Sequence, residues 1–391
     1  MNELILMKYG EIALKGLNKS SFEDILLKNI RWRMRDMGRL RLRKAQSTIY
    51  LEPEDPESFD FDEAMDRLTK IFGIASISRA LVVEKSLDAI QKEICGYLED
   101  QLSSARTFKV ETRRSDKQFP LKSPEISAEV GGTILSQFRN LQVDVHNPEL
   151  VVNVEIRDFG AYIHAGSIPG AGGMPVSSSG KAMILISGGL DSPVAAYMMA
   201  KRGLSLEAIH FVSPPYTSDR ALQKVETLCE KLVPYTGSIK FHCVPFTVIQ
   251  VAIKEHCPEE LFTVIMRRLM MKVAEEVCKK RDIKALVTGE SLAQVASQTL
   301  DALYCTDNAT DLVVLRPLIG MDKSEIIKIA YQIDTYETSI LPYEDCCTVF
   351  TPRHPRTRPK LHFVEKAEAG FDFGPLLVKA VEDTACKTIT L

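Results

Sequence analysis

An apolar pentad, Ala182 to Ile186, runs straight into Ser187-Gly188-Gly189-Leu190-Asp191-Ser192-Pro193, and a helical pattern follows. This arrangement restricts the fold more than any other stretch. Two glycines let the backbone turn tightly at the end of a strand. Pro193 suits a first helical position, where a missing N–H costs nothing. Backbone N–H groups at a helix start favour an anion, phosphate above all. The hydroxyls of Ser187 and Ser192 add donors. Asp191 repels bare phosphate, so it reads as a ligand for Mg²⁺ bridging phosphates. Beyond the loop, strand and helix patterns alternate: LEAIHFV, a helix over 218–232, IKFHCVPF, a long helix to Arg281, and IKALVTG. That alternation predicts an α/β domain with a doubly wound parallel sheet.

Upstream, the chain reads as α+β. An N-terminal domain is expected over 1–58, ending in the acidic, proline-bearing run PEDPESFDFDE. Within it, Ser20-x-x-Glu23 has the form of a capping box, and LRLRKAQSTIYLE reads as one strand. A second α+β domain covers 59–165. Residues 166–181 (GSIPGAGGMPVSSSGK) read as a flexible linker, and 182–391 form the third domain.

With 391 residues, the chain is long enough for about two to four domains. Hydrophobic residues make up 45%, which excludes wholesale disorder. The 49 basic and 52 acidic residues leave a net charge of −3, which excludes a uniformly basic coat but not local basic patches. No apolar run of ~18 residues is present, so no membrane span is expected. The first residues lack a signal-peptide pattern. A cytoplasmic protein is expected.

Nine cysteines do not form a secreted disulfide framework. Seven sit singly in patterned elements and read as core. Cys346 and Cys347 are adjacent in the Pro-bounded segment LPYEDCCTVFTPRHP. Glu344 and Asp345 would raise a thiol pKa there, whereas Arg353, His354 and Arg356 would lower it. No C-x-x-C pair supports a metal site.

SGGLDSP resembles the pyrophosphate loop of the PP-loop ATP pyrophosphatases. TFKVETRRSDKQFPLKSPEI resembles a THUMP RNA-binding domain. SGGLDSP, TGESLAQVASQT, RPLIGMDKSEI and LPYEDCCTVFTPRHP together resemble the ThiI family, the tRNA 4-thiouridine synthetases. The resemblance implies an N-terminal ferredoxin-like domain, a THUMP domain and a C-terminal PP-loop domain. It implies a catalytic cysteine at Cys347, a loop aspartate at Asp191 and a functional lysine at Lys323. It places ATP on the loop residues Ser187, Gly188, Gly189 and Ser192, with nucleotide contacts at Leu185, Ile186, His210, Phe211, Arg267, Gly289 and Gln298. On residue pattern alone, His210 reads equally as packing, Arg267 as a solvated helix face and Gln298 as an ordinary polar helix residue.

The implied reaction is adenylation of O4 of uridine 8 in tRNA, with Lys323 stabilising the developing charge, followed by sulfur transfer from a Cys347 persulfide loaded by a cysteine desulfurase. Sulfur supply to the thiamine thiazole is a further implied role. Rivals are another PP-loop tRNA enzyme such as a 2-thiolase, and a non-catalytic RNA-binding protein. The chain stops at Leu391, too early for the rhodanese-like domain of some relatives, so its sulfur is expected directly from a donor, with Cys346 as the candidate resolving thiol. TVIMRR lacks cysteines, so no iron–sulfur cluster is expected. RNA contacts are expected from Lys109, Arg113, Arg114, Lys117 and Lys122. Basic residues from Arg31 to Lys44, and from Arg353 to Lys360, form further patches. A homodimer is the assembly expected of the chain.

Overall fold

The computed structural model describes residues 2–343, 346, 349–350 and 352–391. The chain divides into two compact units, Met1–Gly173 and Met174–Leu391. No helix among the described residues is long and apolar enough to cross a membrane.

The first unit contains β1 (Glu3–Tyr9), α1 (Lys19–Arg33), β2 (Leu40–Ala45), β3 (Thr48–Pro53), α2 (Phe61–Thr69), β4 (Ile74–Val83) and α3 (Leu87–Tyr97). It continues with α4 (Glu99–Ser104), β5 (Thr107–Arg114), α5 (Ser123–Gln137), β6 (Gln142–Val143), β7 (Leu150–Arg157), β8 (Gly160–Ala165) and β9 (Ile168–Pro169). One sheet runs β2-β3-β1-β4-β8-β7-β5-β6, with β9 on β4. Strand β4 pairs antiparallel with β1 (Ile5 opposite Arg79) and with β8 (Leu81 opposite Ile163). The sheet therefore continues across residue 58, where the acidic run suggested a domain boundary. Asp60 in that run caps α2, accepting from the backbone N–H groups of Asp62 and Glu63. Ile90 and Ile94 of α3 and Ile126, Val130 and Ile134 of α5 pack on Phe108, Val152, Val154 and Ile163. Each such side chain, fully buried, contributes roughly 1.5–3 kcal/mol.

Three local expectations change here. The capping box at Ser20 does not form, because α1 starts at Lys19. Glu23 instead turns into the fold, accepting from the Tyr9 hydroxyl and lying 3.1 Å from Lys44 Nζ. The single strand expected over 40–52 is a hairpin, β2–β3, whose turn residues Gln46 and Ser47 have φ of 50° and 61°. Such turns usually carry Asn or Gly, so the sequence concealed it. The Gly/Ser-rich stretch expected to be a flexible linker is hydrogen-bonded along its length. Gly170 and Gly172 donate to Ala75 and Ile74, whereas Met174 and Ser179 donate to Lys201 and Gly203. A Cβ on Gly170 would stand 2.4 Å from the Ile74 carbonyl oxygen, so the close approach needs glycine.

The second unit contains β10 (Lys181–Leu185), α6 (Asp191–Lys201), β11 (Ser205–Val212), α7 (Asp219–Thr236), β12 (Ser238–Pro245), α8 (Thr247–His256) and α9 (Phe262–Lys279). Then come β13 (Ala285–Val287), α10 (Leu300–Asp307), β14 (Val313–Leu315), α11 (Lys323–Gln332), α12 (Tyr336–Ser339), α13 (Leu361–Glu368), α14 (Gly374–Glu382) and β15 (Ala385–Thr390). The sheet order is β14-β13-β10-β11-β12-β15. Its first five strands are parallel, and β15 closes one edge antiparallel to β12. Strand order reverses between β10 and β13, so their C-terminal ends open a crevice of the kind where ligands bind in such sheets.

Candidate active site

Strand β10 delivers the glycine loop to that crevice. Helix α6 begins at Asp191, two residues before the expected Pro193. The Ser187 N–H donates to Ser192 Oγ at 2.9 Å, and the Gly189 N–H to Ser187 Oγ at 3.3 Å. These short bonds fold the loop onto the helix start. From the other side of the switch point comes Gly289, where a Cβ would stand 2.7 Å from the Ser192 backbone nitrogen. Gly289 was expected to admit a nucleotide. It also lets the loop after β13 touch the first turn of α6.

Between them lies a cavity of about 280 Å³. Leu185, Ile186, Ser187, Gly189, Ser192, His210, Phe211, Arg267, Gly289 and Gln298 all line it, as does Asp191; Gly188 does not. His210 Nδ1 donates to the Ile186 carbonyl at 2.9 Å, which fixes the imidazole at the ends of β10 and β11. Phe211 is mostly core, edge-on to Phe246. Gln298 is buried, and among the described residues its Oε1 has no hydrogen-bond partner. A buried, unsatisfied acceptor on a cavity wall suits a ligand that brings a donor.

Arg267 donates to Glu290, a buried carboxylate that also accepts from Arg316 Nε at 2.7 Å and Thr288 Oγ1 at 2.9 Å. Its neighbour Arg268 points the other way, to Glu368. Lys323 opens α11 behind a capping box of Asp322 and Glu325. Its ammonium lies 2.8 Å from Asp191 Oδ1, and Gln294 Nε2 donates to Asp191 Oδ2 at 2.9 Å. The sequence reading missed Thr288, Glu290 and Gln294, although all three belong to TGESLAQVASQT. It also missed Met270 and Met271 on the cavity wall.

Cys346 lines the same cavity, and its carbonyl accepts from Gln250 Nε2 at 2.8 Å. Cys347, Glu344 and Asp345 lie outside the described residues. Burial raises the thiol pKa of Cys95, Cys229, Cys243, Cys257 and Cys305, and pushes that of Cys278 up to about 12. These thiols are poor nucleophiles. Cys386 departs from the core expectation, being exposed on the edge strand β15.

In the first unit, Arg113, Lys117 and Lys122 are exposed. Lys109 pairs with Glu111 at 2.7 Å. Arg114 donates to the carbonyls of Phe119 and Leu121, both at 2.7 Å, and so organises the loop that carries Lys117. Among the other arginines, Arg33 is buried, which pushes its pKa down to about 10 with help from Arg35 and Arg67. It therefore cannot belong to a solvent-facing basic patch.

The profile of the family described as thiamine biosynthesis protein (ThiI) matches residues 177–373. A ThiI ferredoxin-like domain matches residues 4–78, and a THUMP domain 84–164. A probable tRNA sulfurtransferase of Acetivibrio thermocellus is 49% identical, with both chains covered completely. One from Caldanaerobacter subterraneus subsp. tengcongensis is 51% identical over 95% of this chain and 96% of its own. Among solved structures, a 4-thiouridine synthetase–RNA complex with bound ATP superposes with a TM-score of 0.92, at 35% identity and complete coverage of both chains.

Proposed function

The chain belongs to the ThiI family, and from that membership we propose how its residues carry out the reaction of an ATP-dependent tRNA sulfurtransferase. The substrate is tRNA, and the product is 4-thiouridine at position 8. The observation that carries the scheme is the meeting of Asp191 and Lys323 beside the glycine loop.

ATP occupies the cavity. Its base lies along the ends of β10 and β11, where Leu185, Ile186, His210 and Phe211 bound the pocket and Gln298 Oε1 accepts from the base. Its phosphates lie on the loop of Ser187, Gly188, Gly189 and Ser192, at the positive end of α6. Arg267, aligned by Glu290, faces the same space. Each Asp191 oxygen accepts one hydrogen bond and keeps lone pairs for a cation, so the residue fits Mg²⁺ bound mainly through phosphate and water. Bound there, Mg²⁺ would offset the negative charge of the departing pyrophosphate.

Uridine O4 attacks the α-phosphorus, and the bond to pyrophosphate breaks. Lys323 stabilises the charge that develops. The terminal sulfur of a Cys347 persulfide then adds to C4; the C4–O4 bond breaks and AMP leaves. A second thiol attacks the Cys347 sulfur, which frees the thiocarbonyl and leaves a disulfide for a reductant to open. The Cys346 carbonyl held by Gln250 keeps the residue bonded to Cys347 at the cavity wall.

A cysteine desulfurase loads the persulfide, and the reaction runs in the cytoplasm without an iron–sulfur cluster. The same persulfide can serve thiamine thiazole synthesis, consistent with the family's description. Arg113, Lys117 and Lys122 meet RNA phosphates, which position a nucleic acid without reading its sequence. Light scattering distinguishes a homodimer from a monomer.

The test is incubation of the chain with tRNA, ATP, Mg²⁺, cysteine and a desulfurase, followed by mass spectrometry of nucleosides. 4-Thiouridine is expected, and Cys347→Ser should abolish it with a persulfide donor. Full activity of that variant removes the cysteine from its role. 2-Thiouridine as the product would favour the 2-thiolase reading.

A further inference from the structure

We infer that Gln294 is a positioning residue for Asp191, and hence for the adenylation step; this rests on the role proposed for Asp191. Lys323 alone holds one carboxylate oxygen and leaves the group free to turn about its Cβ–Cγ bond. The Gln294 amide, 103 positions away in the chain, holds the second oxygen at 2.9 Å and fixes the carboxylate plane. Both partners sit where α6 begins, so the orientation they set is the one presented to the phosphates.

The loop that carries Gln294 is built to aim it. Ala293 has φ of 63°, a left-handed conformation that an alanine adopts only when its surroundings impose it. The Leu292 N–H donates to the Ile319 carbonyl at 3.0 Å, and the Ala293 N–H to the Gln298 carbonyl at 2.9 Å. Ser291 Oγ donates to the Met321 carbonyl at 2.9 Å, two residues before Lys323. The same loop thus ties the base of the Lys323 helix to the residue that grips Asp191. Gln294 itself is exposed, so packing does not explain its direction.

Exposure also makes the test clean, since Gln294→Ala leaves the core untouched. At saturating ATP and Mg²⁺ its kcat for 4-thiouridine formation is expected to fall roughly ten- to a hundredfold, as for partners that orient a catalytic ligand. Its ATP affinity, measured by calorimetry without turnover, is expected to stay within about twofold. A merely structural loop defect would weaken ATP binding as well, because Gln298 of the same loop lines the cavity. In an Asp191→Asn background, Gln294→Ala should add nothing further. Ala293→Val, which disfavours the left-handed turn, should lower kcat in the same direction. Wild-type kcat for Gln294→Ala, with Asp191→Asn reduced to a small residual rate, overturns this inference alone. An active Asp191→Asn overturns the reading beneath it.

Discussion

The side-chain amide of Gln250, on the buried face of α8, donates to the backbone carbonyl of Cys346 at 2.8 Å. Gln250 is completely buried and also accepts from the Ser213 hydroxyl. A core helix thereby anchors the residue that precedes the proposed sulfur carrier. Gln250→Leu would take from the buried Ser213 hydroxyl its acceptor, at about 1–3 kcal/mol, and from the Cys346 carbonyl its shorter bond, leaving the one from the Val349 N–H at 3.4 Å. Denaturant unfolding should show that loss, and sulfur transfer should slow even at temperatures where the variant stays folded.

Lys323→Met should separate activity from stability. The ammonium is 44% exposed and its partner 21%, so the pair contributes only about 0–1 kcal/mol to folding. Removing a charge that stabilises a transition state costs about 10²–10³ in kcat. Thermal unfolding close to wild type, with 4-thiouridine formation nearly lost, is the expected pair of results.

Glu290→Gln should act mainly on ATP. Arg267 and Arg316 would then share an amide in place of a buried carboxylate. Breaking a buried ion pair costs roughly 3–5 kcal/mol, less here because Arg267 reaches solvent. Calorimetry should show weaker ATP binding, and Glu290→Asp should recover part of it.

Gly289→Ala would set a methyl group 2.7 Å from the backbone nitrogen of Ser192. Backbone cannot yield as a flexible side chain does, so the loop after β13 must move away from α6. A stability loss of roughly 1–3 kcal/mol and weaker ATP binding in titration are expected.

The first unit should be sensitive to acid. Glu155 is buried, and desolvation alone would raise its pKa. Contacts with His164, Arg157 and Lys8 overcome that and hold it well below the usual carboxylate range. A depressed folded pKa gives stability that is present above the unfolded value near 4.5 and lost as pH falls further. Unfolding measured between pH 7 and pH 3 should show this decline, and Glu155→Gln should flatten it.

Features legible in the sequence depend on residues close together in the chain. SGGLDSP could be read as strand, turn and helix because each step is a local preference. The parallel sheet followed from the alternation of its elements. Where a local rule was silent, the reading failed: Gln46 and Ser47 turn a hairpin without glycine or asparagine, and a Gly/Ser-rich stretch proves to be hydrogen-bonded along its length. Arg33 looked like part of a basic patch because charge is visible in a sequence and burial is not.

From composition and order of residues alone came the phosphate loop, the paired cysteines and the kind of sheet that carries them. Three-dimensional packing alone decided which distant groups share the site: Asp191 with Lys323 and Gln294, Arg267 with Glu290, Cys346 with Gln250. The reason is physical. Turn, cap and period preferences act over a few residues, whereas the contact of Asp191 with Gln294 arises only when β10 and β13 lie side by side and bring their outgoing loops together, and the others need α8, α9 and α11 packed around that sheet.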